Sequence, residues 1–159
     1  MSETRTPTDR PGLFNRMMIR LMPFFTRMHV WIYRNLGGRF AGKTPAGGPI
    51  LLLTTTGRHS GEKRSVALGY LDQGDNFLVV ASNGGQATEP GWSYNLKADP
   101  RAEIEYQEAK VQTEVELLKG DDRADAWERF ISAYPEYEQA QHWAGREFPL
   151  YRIPVAQTD

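Results

Sequence analysis

Strand-like runs in residues 49–118 are separated mostly by short turns, and that spacing decides how they pair. A parallel neighbour needs a crossover of a dozen or more residues, whereas an antiparallel neighbour needs only a turn. Pro49-Ile50-Leu51-Leu52-Leu53-Thr54-Thr55-Thr56 reads as a buried strand that stops at Gly57. Arg64 to Leu71 makes a second strand and Phe77 to Ser82 a third, joined by Asp72-Gln73-Gly74-Asp75-Asn76, a run with hairpin chemistry. Residues 83–90 form a loop, and Trp92 to Ala98 a short helix stopped at Pro100. Arg101 to Tyr106 and Val111 to Leu118 alternate polar and apolar residues, as half-exposed strands do. Asp121 or Asp122 caps a helix through Ala133, Pro135 starts another ending near Gly145, and Phe148 to Val155 closes as a strand. The expected fold is α+β, a small antiparallel barrel of about six strands with flanking helices.

Ahead of the barrel, residues 1–12 read as a disordered leader, rich in Pro, Thr and charge. Residues 13–159 read as one domain that opens on an amphipathic helix at 13–35. There Leu13, Phe14, Met17, Met18, Leu21, Met22, Phe25 and Met28 recur at helical steps among Arg16, Arg20, Arg27 and Arg34. Such a stripe either packs on the barrel or a second copy, giving a homodimer, or lies on an anionic membrane surface.

The net charge of −1 conceals an asymmetry: residues 1–64 carry 11 Lys/Arg against 3 Asp/Glu, and residues 65–159 carry 8 against 17. The first section suits an anionic ligand that the second would repel. The chain has no cysteine, which excludes a disulfide scaffold, a thiolate metal site and a cysteine nucleophile. Its three histidines show no metal-ligand spacing, so no metal is expected. Nucleic acid is not expected as a partner, because the basic residues follow no binding motif. With no apolar h-region at its start, the chain is expected to be cytoplasmic, peripheral on the inner membrane face if the helix binds lipid.

Three stretches could carry chemistry. Thr54-Thr55-Thr56-Gly57-Arg58-His59-Ser60-Gly61-Glu62-Lys63-Arg64 runs from a strand into a two-glycine basic loop. Its amides could converge on an anion, with Arg58, Lys63 and Arg64 pairing with phosphate oxygens; the plain alternative is a solvated hairpin turn. In Ala81-Ser82-Asn83-Gly84-Gly85 and Pro90-Gly91-Trp92-Ser93-Tyr94-Asn95, a flat ring could lie against the backbone, with Trp92 and Asn95 on one helix face. The alternative makes Trp92 a core anchor and Asn95 a turn partner. Tyr134, Tyr137 and Trp143 suit either a pocket wall or an ordinary core.

Together the stretches 51–64, 79–85, 90–100 and 134–143, with the lead-in 29–43, resemble the deazaflavin (F420)-dependent nitroreductase family, split β-barrel oxidoreductases of FMN-binding-like fold from actinobacteria. The resemblance implies that Leu52, Leu53 and Thr54 lie along bound F420. It implies Arg58, His59, Ser60, Gly61, Glu62, Lys63 and Arg64 around the phosphate and polyglutamyl tail. Ala81, Ser82 and Asn83 are implied near the ring, with Trp92 and Asn95 supporting it. The implied reaction is hydride transfer between the deazaflavin C5 and a small organic acceptor such as a quinone, enone or nitroaromatic. Tyr137, Tyr134 and Ser82 are the candidates to place the accompanying proton or steady an oxyanion. Nitroimidazole-reducing members have tyrosines where this chain has Gly69 and Ala140, two positions expected at the substrate pocket, so a wider pocket is implied. The competing expectations are an FMN-dependent split-barrel oxidoreductase and a carrier that binds F420 without turnover.

Overall fold

A computed structural model describes residues 48–155; the expected leader and the helix at 13–35 lie outside the described residues. The elements in chain order are β1 (Ile50–Thr56), β2 (Lys63–Gly69), β3 (Leu71–Asp72), β4 (Asn76–Val80), a 3-10 turn (Asn83–Gly85) and α1 (Gly91–Ala98). There follow β5 (Arg101–Tyr106), β6 (Ala109–Glu114), β7 (Glu116–Leu117), α2 (Gly120–Ala133), α3 (Glu136–Ala144) and β8 (Leu150–Pro154). They form two four-stranded sheets, β2-β1-β5-β6 and β3-β4-β8-β7, antiparallel at every pairing.

The expectation of about six strands becomes eight because two of them bend from one sheet into the other. Tyr70 ends the run of β2 by donating its N–H to Pro49 O at 3.2 Å, and Leu71 then pairs with Leu78 in the second sheet. Val115 does the same between β6 and β7, donating to Pro100 O at 2.9 Å before Glu116 pairs with Arg152. Both corner residues are buried, so each bend is fixed from inside by an apolar side chain.

Alternation along the strands sorts side chains between two cores. Leu51, Leu53, Phe77, Val79, Ile104, Tyr151 and Ile153 fill the space between the sheets, closed at one end by Trp92 and Leu96 of α1. Leu78, Val80 and Leu150 point the other way and meet Ala126 and Phe130 of α2, Ala144 of α3 and Phe148. Phe130 alone, almost wholly buried, contributes about 2 kcal/mol by leaving water.

Helix ends follow local chemistry, with one correction. α2 begins at Gly120 after Lys119, and neither Asp121 nor Asp122 caps it with a side-chain hydrogen bond. Both lie in the first turn instead, where their charge faces the positive end of the helix. α3 stops at Gly145, whose φ of 64° is the left-handed conformation that closes a helix without a β-carbon clash.

Candidate functional site

The loop from β1 to β2 is a closed structure of its own. Gly57 N–H donates to Glu62 O at 2.8 Å, Gly61 N–H to Gly57 O at 2.8 Å, and Glu62 N–H to Ser60 Oγ at 3.2 Å. Gly61 has a φ of +70°, which favours glycine, and a β-carbon on Gly57 would stand 2.7 Å from Ser60 Oγ and displace that hydroxyl. Asn95, buried on α1, accepts the Arg58 N–H on Oδ1 at 3.1 Å and donates from Nδ2 to Thr55 Oγ1 at 3.1 Å. One amide side chain thus ties the loop to both its strand and its helix. These bonds occupy most of the loop amides, so an anion meets chiefly side chains there, not the convergent backbone donors expected from the sequence.

Residues 58–64 are all exposed. Lys63 Nζ donates to Thr56 Oγ1 at 2.9 Å, Arg64 pairs with Glu62 at 2.7 Å, and the Arg58 guanidinium lies 4.8 Å from the ring centroid of Tyr94.

Beside the loop is a cleft of about 360 Å³. Arg64, Ser65 and Val66 of β2 form one wall, and Glu89 to Trp92 and Asn95 the other, with Asn83 at the edge. Two stretches singled out in the sequence therefore meet here. Ser65 Oγ is 2.7 Å from Thr54 Oγ1, its cross-strand partner. Trp92 both lines the cleft and anchors the core, its ring 5.4 Å from that of Tyr151. Leu52, Leu53 and Ala81 are wholly buried, and neither they nor Thr54 line the cleft.

Two charged residues of this region carried no motif. Glu89 accepts from Ser93 Oγ at 2.8 Å and from Lys97 Nζ at 2.7 Å. Burial pushes its carboxyl upward, but those hydrogen bonds and the charges of Lys97 and Arg146 outweigh burial and hold it below 4.5. The cleft thus presents an ionised carboxylate across from Arg64. Behind it the Ser93 and Tyr151 hydroxyls are 2.7 Å apart, and burial pushes Tyr151 up to about 12. The row Glu89, Ser93, Lys97 repeats at four-residue steps, a helical phase visible in the sequence.

Arg146 is the second. Its Nε donates to Gln86 O at 3.0 Å, and its Nη2 to Ala81 O, Ser82 O and Thr88 O at 3.0–3.1 Å. The loop so gripped includes Asn83, Gly84 and Gly85, with φ of 51°, 64° and 79°. Asn83 is tied to the same loop by its own bond from Nδ2 to Thr88 O at 3.0 Å. Carbonyl partners have no residue identity, so no sequence pattern announces this grip.

The tyrosines lie elsewhere. Tyr134 donates its hydroxyl to Tyr70 O at 3.2 Å, at the corner after Gly69, and packs directly on Gly48. Tyr137 meets Phe130 edge-on at 5.0 Å, and its hydroxyl makes no hydrogen bond among the described residues. Burial, then the nearby Glu136 charge, raises the Tyr137 phenol above its ordinary value. Ala140 reaches the other side of the glycine turn: a β-carbon on Gly85 would be 3.8 Å from its own. Neither tyrosine lines the cleft, and the Ser82 hydroxyl makes no hydrogen bond among the described residues. Among those residues no cluster of three His, Asp or Glu could hold a metal ion, and no helix is long and apolar enough to cross a membrane.

Comparison with known proteins fits this geometry. An F420H(2)-dependent quinone reductase of Mycobacterium tuberculosis is 46% identical over 78 residues, covering 49% of this chain and 52% of that protein. The chain spans about half the length of the first such curated relatives it matches. A solved F420-H2 dependent reductase superposes with a TM-score of 0.61 at 33% identity, covering 66% of this chain and 93% of the other. A structure described as a domain-swapped dimer matches with the same score and identity, covering 66% and 79%. The two sheets and their helices are the expected split β-barrel. The profile of the F420H(2)-dependent quinone reductase family matches residues 25–154, and the chain belongs to that family.

Proposed function

We propose that the chain is a reductase that uses reduced F420 to reduce a quinone-like acceptor, with enones and nitroaromatics as further candidates. The observation that carries this reading is the contiguity of the basic β1–β2 loop with the Trp92-walled cleft, Arg64 belonging to both. The residues fit the cofactor. Arg58, Lys63 and Arg64 with the His59–Glu62 turn offer a cationic surface for a phosphate and glutamyl tail. The cleft has a flat apolar wall at Trp92 and polar groups at Asn83, Glu89 and Asn95 to orient a ring.

When bound, reduced F420 supplies a hydride from C5. The chain's own part is to bind and orient. Leu52, Leu53 and Thr54 stiffen the wall, Ala81 and Ser82 present the gripped loop, and Asn95 fixes the tail-binding turn. A reduced quinone oxygen needs a proton; for an acceptor bound on the tyrosine side, outside the cleft, we assign that role to Tyr137 Oη, with no hydrogen bond to described residues, ahead of Tyr134, whose hydroxyl is engaged with Tyr70 O. Gly69 and Ala140 leave the tyrosine-flanked side open. A homodimer belongs to the same reading, supported by the domain-swapped relative. The apolar and arginine stripe at 13–35 supports contact with an anionic membrane, where quinones reside.

Titration with F420 and with FMN, followed by fluorescence, tests the cofactor; reduced F420 mixed with quinones, enones and nitroaromatics tests turnover. Tight F420 binding and quinone-dependent oxidation are expected. FMN binding without F420 binding refutes the cofactor, and F420 binding with no acceptor oxidising it makes the protein a carrier.

A further inference from the structure

The three cations of the β1–β2 loop are not equivalent. Arg64 is neutralised by Glu62 at 2.7 Å, and Lys63 is held by the neutral Thr56 hydroxyl at 2.9 Å. Arg58 has no carboxylate partner among the described residues; its guanidinium carbon lies 4.8 Å from the ring centroid of Tyr94. Its backbone is fixed too, by the bond from its N–H to Asn95 Oδ1 at 3.1 Å.

Tyr94 lies on the exposed face of its helix, with Gly91 and Lys97. The flanking residues Trp92, Ser93, Asn95 and Leu96 are buried, whereas Tyr94 is 40% exposed and packs in neither core. Lys97 Nζ stands 5.5 Å from the same ring and is tethered through both Glu89 oxygens at 2.7 and 2.8 Å. An aromatic face holds a guanidinium by its π cloud without engaging the in-plane N–H donors. A carboxylate partner would fix the same group but cancel its charge and occupy two donors. Tyr94 therefore fixes Arg58 while leaving its charge and donors available to an incoming anion.

We propose that Tyr94 is a specificity-determining positioning residue: by holding Arg58 uncompensated and open, it selects ligands with a phosphate or oligocarboxylate tail over tailless ones. The inference rests on the F420 reading above and deepens it.

Calorimetric titration of the wild type, Tyr94→Leu, Tyr94→Phe, Arg58→Gln and the Tyr94→Leu/Arg58→Gln double variant tests it. The ligands are F420 and the deazaflavin fragment lacking phosphate and glutamyl chain. Tyr94→Leu weakens F420 about three- to fivefold and leaves the fragment unchanged. Tyr94→Phe keeps the wild-type preference because the ring, not the hydroxyl, holds Arg58. In the Arg58→Gln background, Tyr94→Leu has no further effect. Equal weakening of both ligands by Tyr94→Leu, no weakening of either, or the same loss with Arg58 absent overturns the assignment. Wild-type protein that binds neither ligand overturns the cofactor reading, and this inference with it. An unchanged ratio of F420 to fragment affinity in Tyr94→Leu overturns this inference alone.

Discussion

Arg146→Met removes the group that grips the loop at 81–88 from the far end of α3. Nε serves Gln86 O, and the two hydrogens of Nη2 are shared among Ala81 O, Ser82 O and Thr88 O. Three donor hydrogens at about 1 kcal/mol net each give a loss of about 3 kcal/mol. The higher value for charged donors does not apply, because the site is only partly buried and the freed Thr88 carbonyl can turn to water. Methionine retains apolar contact with Phe148, over whose ring the guanidinium sits at 4.7 Å, so the packing is kept while the hydrogen bonds, the cation–π contact and the charge near Glu89 are lost. For a domain of this size the loss lowers Tm by about 6–12 °C. Arg146→Lys keeps the charge, but its compact head cannot span Gln86 O and Ala81 O together, and about half of the loss returns. Thermal denaturation followed by circular dichroism measures the first effect. Hydrogen exchange measures the second: the amides of Gly85 and Gln86, bonded within the loop at 3.0 and 3.3 Å, exchange faster in Arg146→Met. A Tm within about 2 °C of wild type, with unchanged exchange at both amides, refutes the reasoning.

Asn95→Leu strands the buried Thr55 hydroxyl and frees the Arg58 amide, costing about 2–3 kcal/mol in urea unfolding and loosening F420 binding; unchanged stability sinks the two-bond account. Glu89 has its folded carboxyl held below an unfolded value of 4.5, so the unfolded chain binds the proton first. Its contribution is complete above 4.5 and disappears as pH falls through the folded value; urea midpoints taken from about pH 5 to pH 3 fall less steeply in Glu89→Gln, and parallel curves count against it. Tyr134→Phe loses its bond to Tyr70 O and about 1 kcal/mol of stability, whereas Tyr137→Phe keeps stability and lowers kcat about a hundredfold. The opposite pattern transfers the proton role to Tyr134.

Much of the barrel is legible in the sequence because its strands sort by period. Phe77 and Val79 face one core and Leu78 and Val80 the other, so the run is apolar throughout and bounded by turn residues. The corners at Tyr70 and Val115 are not legible, since both residues are apolar and in phase with a straight strand. The meeting of loop and helix is legible only as two adjacent motifs. What joins them is Asn95 reaching across 37 residues to the Arg58 amide; that bond takes one backbone donor, and the turn's own bonds take those of Gly57, Gly61 and Glu62. Arg146 escapes notice for a related reason: it binds peptide carbonyls, which every residue has. Tyr134 looks like a pocket residue by composition, and only the position of the Tyr70 carbonyl gives its hydroxyl a structural task.

The contact between the Gly85 turn and Ala140 has an evolutionary side. A β-carbon on Gly85 would stand 3.8 Å from that of Ala140, ordinary contact distance, so the turn and α3 meet through two small residues. A bulkier side chain at 140 would occupy space beside the Asn83–Gly85 turn, and Asn83 stands at the edge of the cleft. Because Asn95 anchors the β1–β2 loop separately, such a change leaves the cationic turn where it is. Position 140 is thus a place where substitution can reshape one edge of the cleft while the β1–β2 loop is inherited intact.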